Sequence, residues 1–180
     1  MTPRRIKPTR NTKTTILIVG EGPTEKAFLQ YLKELYIARD YEFAVKIECG
    51  SGGAPCSVVQ KAIRLRGSRA YDKCYVLFDS DRPLETDYKL SDRMNKRPRV
   101  EVLKATPCIE GVFLAILQRS GFSQVSATSA SCKRDFHADY ISEYKKMDKR
   151  SYTTKFSKTI IDDRRGQVPE LDLILKAMRV

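Results

Sequence analysis

Three acids in this chain stand where they could hold a divalent ion. Asp79 and Asp81 flank Ser80, immediately after the apolar run Cys74, Tyr75, Val76, Leu77, Phe78. Glu21 lies between Gly20 and Gly22, just past the apolar stretch at residues 14–19. Two carboxylates held side by side repel, and one takes up a proton unless a cation intervenes. Hard cations such as Mg²⁺, or Mn²⁺ in its place, prefer oxygen ligands. Asp79, Asp81 and Glu21 therefore read as metal ligands, with Glu21 also suited to general acid or base work. The competing reading is plain: acids often end strands as turn formers, and Asp-x-Asp alone is a weak signal.

These acids need strands and turns to bring them together. Residues 14–19 are β-branched and apolar, so they predict a buried strand. Gly20 to Gly22 then form a tight turn, with Pro23 at the first helical position and Glu25 in the first turn. Phe28, Tyr31, Leu32 and Leu35 share one helical face. Residues 43–47 alternate and predict a second strand, and residues 50–55 a loop. Val58, Val59, Ala62 and Ile63 predict a second amphipathic helix from about Ser57. Residues 74–78 predict a central third strand. Between 82 and 98, Leu84, Leu90 and Met94 support a short helix. Residues 100–103 predict a fourth strand, followed by a helix with Thr106 as its cap and Pro107 at its first position. Farther on, Phe136, Tyr140, Tyr144 and Met147 predict one helical face. Tyr152, Phe156 and Ile160 predict a second, and Pro169, Leu171, Ile174, Leu175 and Met178 a third. Strands alternating with helices imply a mostly parallel sheet. Functional groups in such sheets gather beyond the carboxyl ends of the strands, where Glu21, Asp79 and Asp81 fall.

Composition narrows the function. The chain has 180 residues, 41% hydrophobic and 31% charged, which fits an ordinary globular protein. No apolar run reaches the ~18 residues of a membrane span, and no signal-like segment follows the charged start, so a cytoplasmic location is expected. Five scattered cysteines and the lone His137 offer no zinc-type spacing and read as thiols in a reducing compartment. The net charge is +12, which attracts phosphates from a distance. Residues 1–13 carry Arg4, Arg5, Lys7, Arg10 and Lys13 without an acid. They read as a flexible arm, either merely solvated or gripping nucleic acid. An acidic knot in so basic a chain is reconciled by a metal that in turn holds a phosphate.

The stretch from Ile16 through Glu21, Thr24, Glu25, Lys26 and Phe28 carries a resemblance to a known family. So do Asp79-Ser80-Asp81 and the segment Thr106, Pro107, Cys108, Ile109, Glu110. Together they resemble the RloB-like family, over roughly residues 14–145. That family is similar to Toprim domains and is associated with bacterial phage-defence and restriction loci. The resemblance implies a Toprim-like Rossmannoid α/β domain, with a core at about 14–120 and a helical extension at about 133–180. It implies that Glu21 is the general acid or base of strand cleavage. It implies that Asp79 and Asp81 bind metal, and that Glu110 is a further ligand or orienter. Gly111 stands where the family usually has a larger residue, and the acid in the first turn of a helix is the alternative for Glu110.

Weaker candidates surround these. Lys26 matches the family motif and reads either as a phosphate ligand or as a solvated helix lysine. Arg82 could fork onto a phosphate or bridge to its acidic neighbours. Lys133, Arg134 and His137 match a further family segment; the two cations are candidate nucleic-acid contacts, and His137 beside Phe136 reads as structural. Lys145, Lys146, Lys149 and Arg150 form a basic cluster, solvated or tracking a backbone.

The leading expectation is a Mg²⁺- or Mn²⁺-dependent nuclease acting on DNA or RNA in phage defence. The second is a non-catalytic module binding metal and nucleic acid, or a subunit of a defence complex with a partner protein. A nucleotide-dependent transferase with an Asp-x-Asp metal site ranks third, since Gly20 to Lys26 lacks P-loop spacing. Covalent strand breakage by tyrosine calls for a further domain, which 180 residues are expected not to carry. A phosphatase reading fails because no Thr stands two residues after the aspartates.

Overall fold

The computed structural model describes residues 13–37, 42–50 and 52–180. The arm residues Arg4, Arg5, Lys7 and Arg10 lie outside them. Four strands, β1 (Thr14–Gly20), β2 (Phe43–Cys49), β3 (Lys73–Asp79) and β4 (Val100–Ala105), pair in parallel in the order β2-β1-β3-β4. The expected α/β class, a parallel sheet flanked by helices with further helices toward the C-terminal end, is what forms.

Side chains alternate along each strand, and the sheet sorts them into two cores. Ile16, Ile18, Tyr75 and Leu77 face one way. They meet α1 (Pro23–Tyr36), α4 (Ile109–Ile116), α5 (Ser129–Asp139) and the later helices. Leu17, Val19, Val76 and Phe78 face the other way, toward α2 (Pro55–Ser68) and α3 (Tyr88–Asn95). The chain runs from β1 outward to β2, then returns across β1 to β3 and β4. The strand order thus reverses between β1 and β3, the switch point beyond whose carboxyl ends such sheets place their functional groups. Glu21 and Asp79 are the residues that the two strands deliver there.

The start of α4 departs from expectation. Thr106 and Pro107 neither cap the helix nor open it. Their peptide bond is cis, the N-cap is Cys108, and the helix begins at Ile109. The cap comes instead from the neighbouring strand: Asp79 Oδ1 accepts from the Ile109 amide at 3.0 Å. Spacing along one segment could not reveal this, because the capping side chain lies 30 residues away in sequence.

Two helical faces are shorter than their sequence patterns. α5 stops at Asp139, leaving Tyr144 (82% exposed) and Met147 (60%) off its face. The Ile141 amide folds back onto the Phe136 carbonyl, and His137 Nδ1 meets the Ile141 carbonyl, which turns the chain. The Tyr152–Ile160 pattern spans two helices, α6 (Arg150–Thr153) and α7 (Lys158–Arg165), because Ser157 caps the second. Tyr152 and Phe156 are nonetheless fully buried. They join Phe28, Phe113 and Phe136 in an aromatic cluster, in which the Phe28 and Phe113 centroids stand 4.7 Å apart. The Tyr31 hydroxyl donates to the Phe156 carbonyl. The last helix, α8 (Pro169–Ala177), begins on Pro169 and buries Leu171, Ile174 and Leu175, as its pattern predicts.

Gly111 has a reason in this packing. A Cβ there would sit 2.8 Å from Pro107 Cδ and 3.1 Å from the Thr106 carbonyl oxygen. Helix propensity favours alanine over glycine by about 1 kcal/mol, whereas overpacking costs about 1–3 kcal/mol. Gly111→Ala should therefore lower the urea midpoint rather than raise it, with an unchanged denaturant slope. A gain in stability would mean that the Thr106–Pro107 turn yields.

Candidate functional site

Glu21 leaves β1 at the switch point. Its amide donates to the Leu77 carbonyl at 2.8 Å, which extends the β1–β3 pairing by one residue. Its side chain is half-buried, and Oε2 accepts from the Asp79 amide at 3.1 Å. The first turn of α1 then carries Glu25 into the interior, 6% exposed, with Oε2 accepting from the Gly22 amide at 2.7 Å. Gly20 permits this, because a Cβ there would lie 2.7 Å from Glu25 Cβ.

Asp79 is the last residue of β3 and is buried. Glu110, in the first turn of α4, is 2% exposed. One ligand atom from each of Asp79, Cys108 and Glu110 lies within 4.8 Å of the others. Glu110 Oε2 has no hydrogen-bond partner. A buried orphan of this kind demands an explanation, since most buried polar atoms are satisfied. α5 crosses beside the group. It brings Lys133 Nζ to 3.5 Å from Asp79 Oδ2, and His137 Nε2 to 3.7 Å from Glu110 Oε1. His137 Nδ1 lies 2.7 Å from the Ile141 carbonyl, so that nitrogen is the donor and the ring is fixed. Nε2 faces Glu110 beyond hydrogen-bond range and is itself unpartnered.

Burial dominates the electrostatics. It pushes the Asp79 carboxyl up to about 7; Glu110 and Glu21 add to the rise, while Lys133 and the Ile109 amide oppose it. Burial likewise lifts Glu25 to about 7, reinforced by Asp79 and Glu110 and resisted by the amides of Glu25 and Gly22. Partial burial works against the charge on Lys133, but Asp79 and Glu110, with Cys108 and Asp81, outweigh it and raise its pKa.

The expected residues divide accordingly. Asp79 and Glu110 come together in the interior, and Glu21 stands at the same strand ends. Asp81 is exposed, two residues beyond the strand, with its amide donating to the Pro107 carbonyl at 3.2 Å. It is outside the close donor group, although its charge reaches Lys133. Lys133 contacts the site directly. Lys26 is half-buried in α1, and Arg82 is exposed beyond β3. Arg134 is exposed and paired with Asp135 at 3.0 Å. In the basic cluster, Lys146 pairs with Glu143 and Lys149 with Glu34. Sequence reasoning missed Glu25 and Cys108 as members of the site. Glu25 did carry a signal: it stands four residues after Glu21, within the matched motif. Cys108 sits beside Glu110 in its segment, but nothing in its spacing marks it as a ligand.

The fold and the pocket define an α/β protein with a metal-competent acid group at the switch point of its sheet. The chain belongs to the RloB-like protein family, whose profile matches residues 16–178. No curated protein and no solved structure matches it. Among the described residues, no helix is long and apolar enough to cross a membrane.

The two raised carboxyls make stability depend on pH. Their folded values of about 7 lie above the unfolded values near ~4, so the folded state keeps protons that the unfolded chain releases. That contribution is complete below about pH 4 and is lost as the pH rises through about 7. Asp72, Asp162 and Asp172 are held low by hydrogen bonds and act oppositely, on the acid side of this window. The metal-free protein should therefore lose stability between about pH 5 and about pH 7, by at most ~1.4 kcal/mol per pH unit for each group. Glu25→Gln should flatten the slope. Urea unfolding across that range, with EDTA present, measures it.

Proposed function

We propose that this protein is a divalent-metal-dependent phosphodiesterase that cleaves DNA or RNA, acting in bacterial phage defence. The observation that carries the reading is the orphaned, buried Glu110 carboxylate beside Asp79 at the sheet's switch point. Carboxylates gathered this deeply fit a cation better than they fit one another. Asp79 and Glu110 would hold the ion, with Glu21 and Asp81 at the mouth as further oxygen donors. Mg²⁺ or Mn²⁺ there supplies a Lewis acid for the phosphate and lowers the pKa of a bound water.

The protein's own groups account for the rest. Glu21 reaches the switch point from β1 and is the candidate to accept or return a proton. The Asp79 amide that donates to it fixes its orientation. Lys133 stands against Asp79 with its side chain 47% exposed, where it can meet an incoming phosphate. Arg82 and Lys26 extend positive charge from the same end of the sheet. The net charge of +12 draws a polyanion toward this edge. The setting in phage defence rests on what the family resemblance implies and on no residue of the site.

One observation favours a second reading, a module that binds metal and nucleic acid without cutting, or a subunit beside a defence partner protein. Glu21 Oε2 is already engaged by the Asp79 amide, which leaves less of the carboxylate for proton transfer.

Incubation with single- and double-stranded DNA and RNA, with Mg²⁺, Mn²⁺ or EDTA, separates the two. Cleavage should require metal and vanish in Asp79→Asn. Glu21→Gln should lower it by roughly 10²–10⁴-fold, the range for a lost general acid or base. Metal-dependent retention of nucleic acid without cleavage would select the second reading. Cleavage that persists in EDTA would overturn the metal site. Lys133→Ala should weaken nucleic-acid binding evenly across sequences and reduce its salt dependence.

A further inference from the structure

One donor in the pocket is not what an all-oxygen Mg²⁺ site calls for. Cys108 is fully buried, and its sulfur belongs to the same close group as the Asp79 and Glu110 carboxylates. It occupies the N-cap of α4 without capping through its side chain, so the helix does not explain it. Its sulfur approaches the Ser129 carbonyl at 3.9 Å, a weak contact, and has the Gly111 amide and the Cys132 thiol beside it. The unpartnered Glu110 Oε2 shows independently that this pocket has room in its bonding for a ligand.

We infer that the pocket binds a borderline divalent transition ion of the Zn²⁺ class, with the Cys108 thiolate, Asp79 and Glu110 as its protein ligands. The inference rests on the reading of this group as a metal site, and it puts a Zn²⁺-class ion on the ligands where the nuclease reading puts Mg²⁺ or Mn²⁺. Thiolate ligands select Zn²⁺-class ions, whereas all-oxygen sets suit Mg²⁺ and Mn²⁺. A mixed sulfur and carboxylate set of three leaves a coordination position for water, as metal sites that do chemistry require. On binding, the S–H bond is exchanged for a sulfur–metal bond and the proton leaves to solvent, with no change in oxidation state. Burial, with Glu110 and Asp79, pushes the free Cys108 thiol far above its ordinary range, and only the Gly111 amide opposes this, so the thiolate forms with the metal and not before it. His137, anchored on the Ile141 carbonyl, faces Glu110 as an orienting neighbour.

Co²⁺ reports thiolate ligation by its near-ultraviolet sulfur-to-metal charge-transfer absorption. The full-length, metal-stripped protein should develop this band on stoichiometric Co²⁺ addition. Zn²⁺ should abolish it, and excess Mg²⁺ should not. Cys108→Ser, nearly isosteric, should remove the band and weaken Zn²⁺ binding by more than the ~10–100-fold typical of losing an outer-shell partner. Glu110→Gln should keep the thiolate band but weaken the site. Bound Co²⁺ without the band, or a band unchanged in Cys108→Ser, overturns the inference; the latter would assign it to the half-buried Cys49 or Cys56. A protein that shows the band yet cuts nothing upholds the site and sinks the nuclease. One that cuts with Mg²⁺ and shows no band does the reverse.

Discussion

Three buried carboxylates that feel one another's charge set the terms for the rest of this molecule. Glu25, Asp79 and Glu110 are each less than a tenth exposed. Placing such groups together in an interior is among the least favourable arrangements a chain can make. The fold answers with the positive ends of two helices. α1 presents the Gly22 amide to Glu25, and α4 presents the Ile109 amide to Asp79. A helix terminus contributes roughly 0.3–2 kcal/mol to a nearby anion. The rise of Asp79 from 3.8 to about 7 corresponds to ~4 kcal/mol against the charged form. Burial wins by magnitude, and the helix termini only moderate it. Such a penalty makes sense where the charge is used.

The C-terminal helices are what make the pocket an interior. α5 lays Lys133 and His137 against the acids that the sheet supplies. It is held there by Phe136, whose ring packs 4.9 Å from that of Phe113 on α4. α6 and the turn after it add Tyr152 and Phe156, which reach across to Phe28 on α1. Aromatic pairs of this kind contribute ~0.5–1.5 kcal/mol beyond their buried area. The cluster ties the two helices whose first turns carry Glu25 and Glu110. Packing behind the site thus determines where its charges stand.

The four strands and their parallel pairing were legible because a buried parallel strand writes itself as an unbroken apolar run, as residues 74–78 do. Glu21 and Asp79 could be placed at strand ends by the same logic. What stayed hidden was contact between segments distant in sequence. The capping of α4 by Asp79 replaced the local Thr106 and Pro107 signal, and no periodicity records it. Tyr144 and Met147 continued the α5 pattern in sequence, but the turn at Tyr140–Ile141 ended the helix. Glu25 was read as a first-turn acid serving the dipole. It does meet the Gly22 amide, but its depth is decided by Gly20, which leaves room for it. Cys108 was one small apolar thiol among five until the fold set it beside two carboxylates.

Charge counting shows why protons and a metal must compete here. Fully ionised, Glu25, Asp79 and Glu110 carry three negative charges. Lys133 supplies one positive charge at 3.5 Å from Asp79, and it is half in solvent, where its field is screened. The remainder is close to two negative charges. Protons can supply it, which is the direction in which Glu25 and Asp79 are pushed. A divalent ion supplies the same charge in one step and meets the unpartnered Glu110 oxygen; taking Cys108 as thiolate adds one negative charge, offset by a proton that stays on Glu25, outside the ligand group. Within the ligand group, occupancy by either should therefore exclude the other. Because binding the ion releases protons from raised carboxyls, the balance shifts from protons to the ion as the pH rises through about 7.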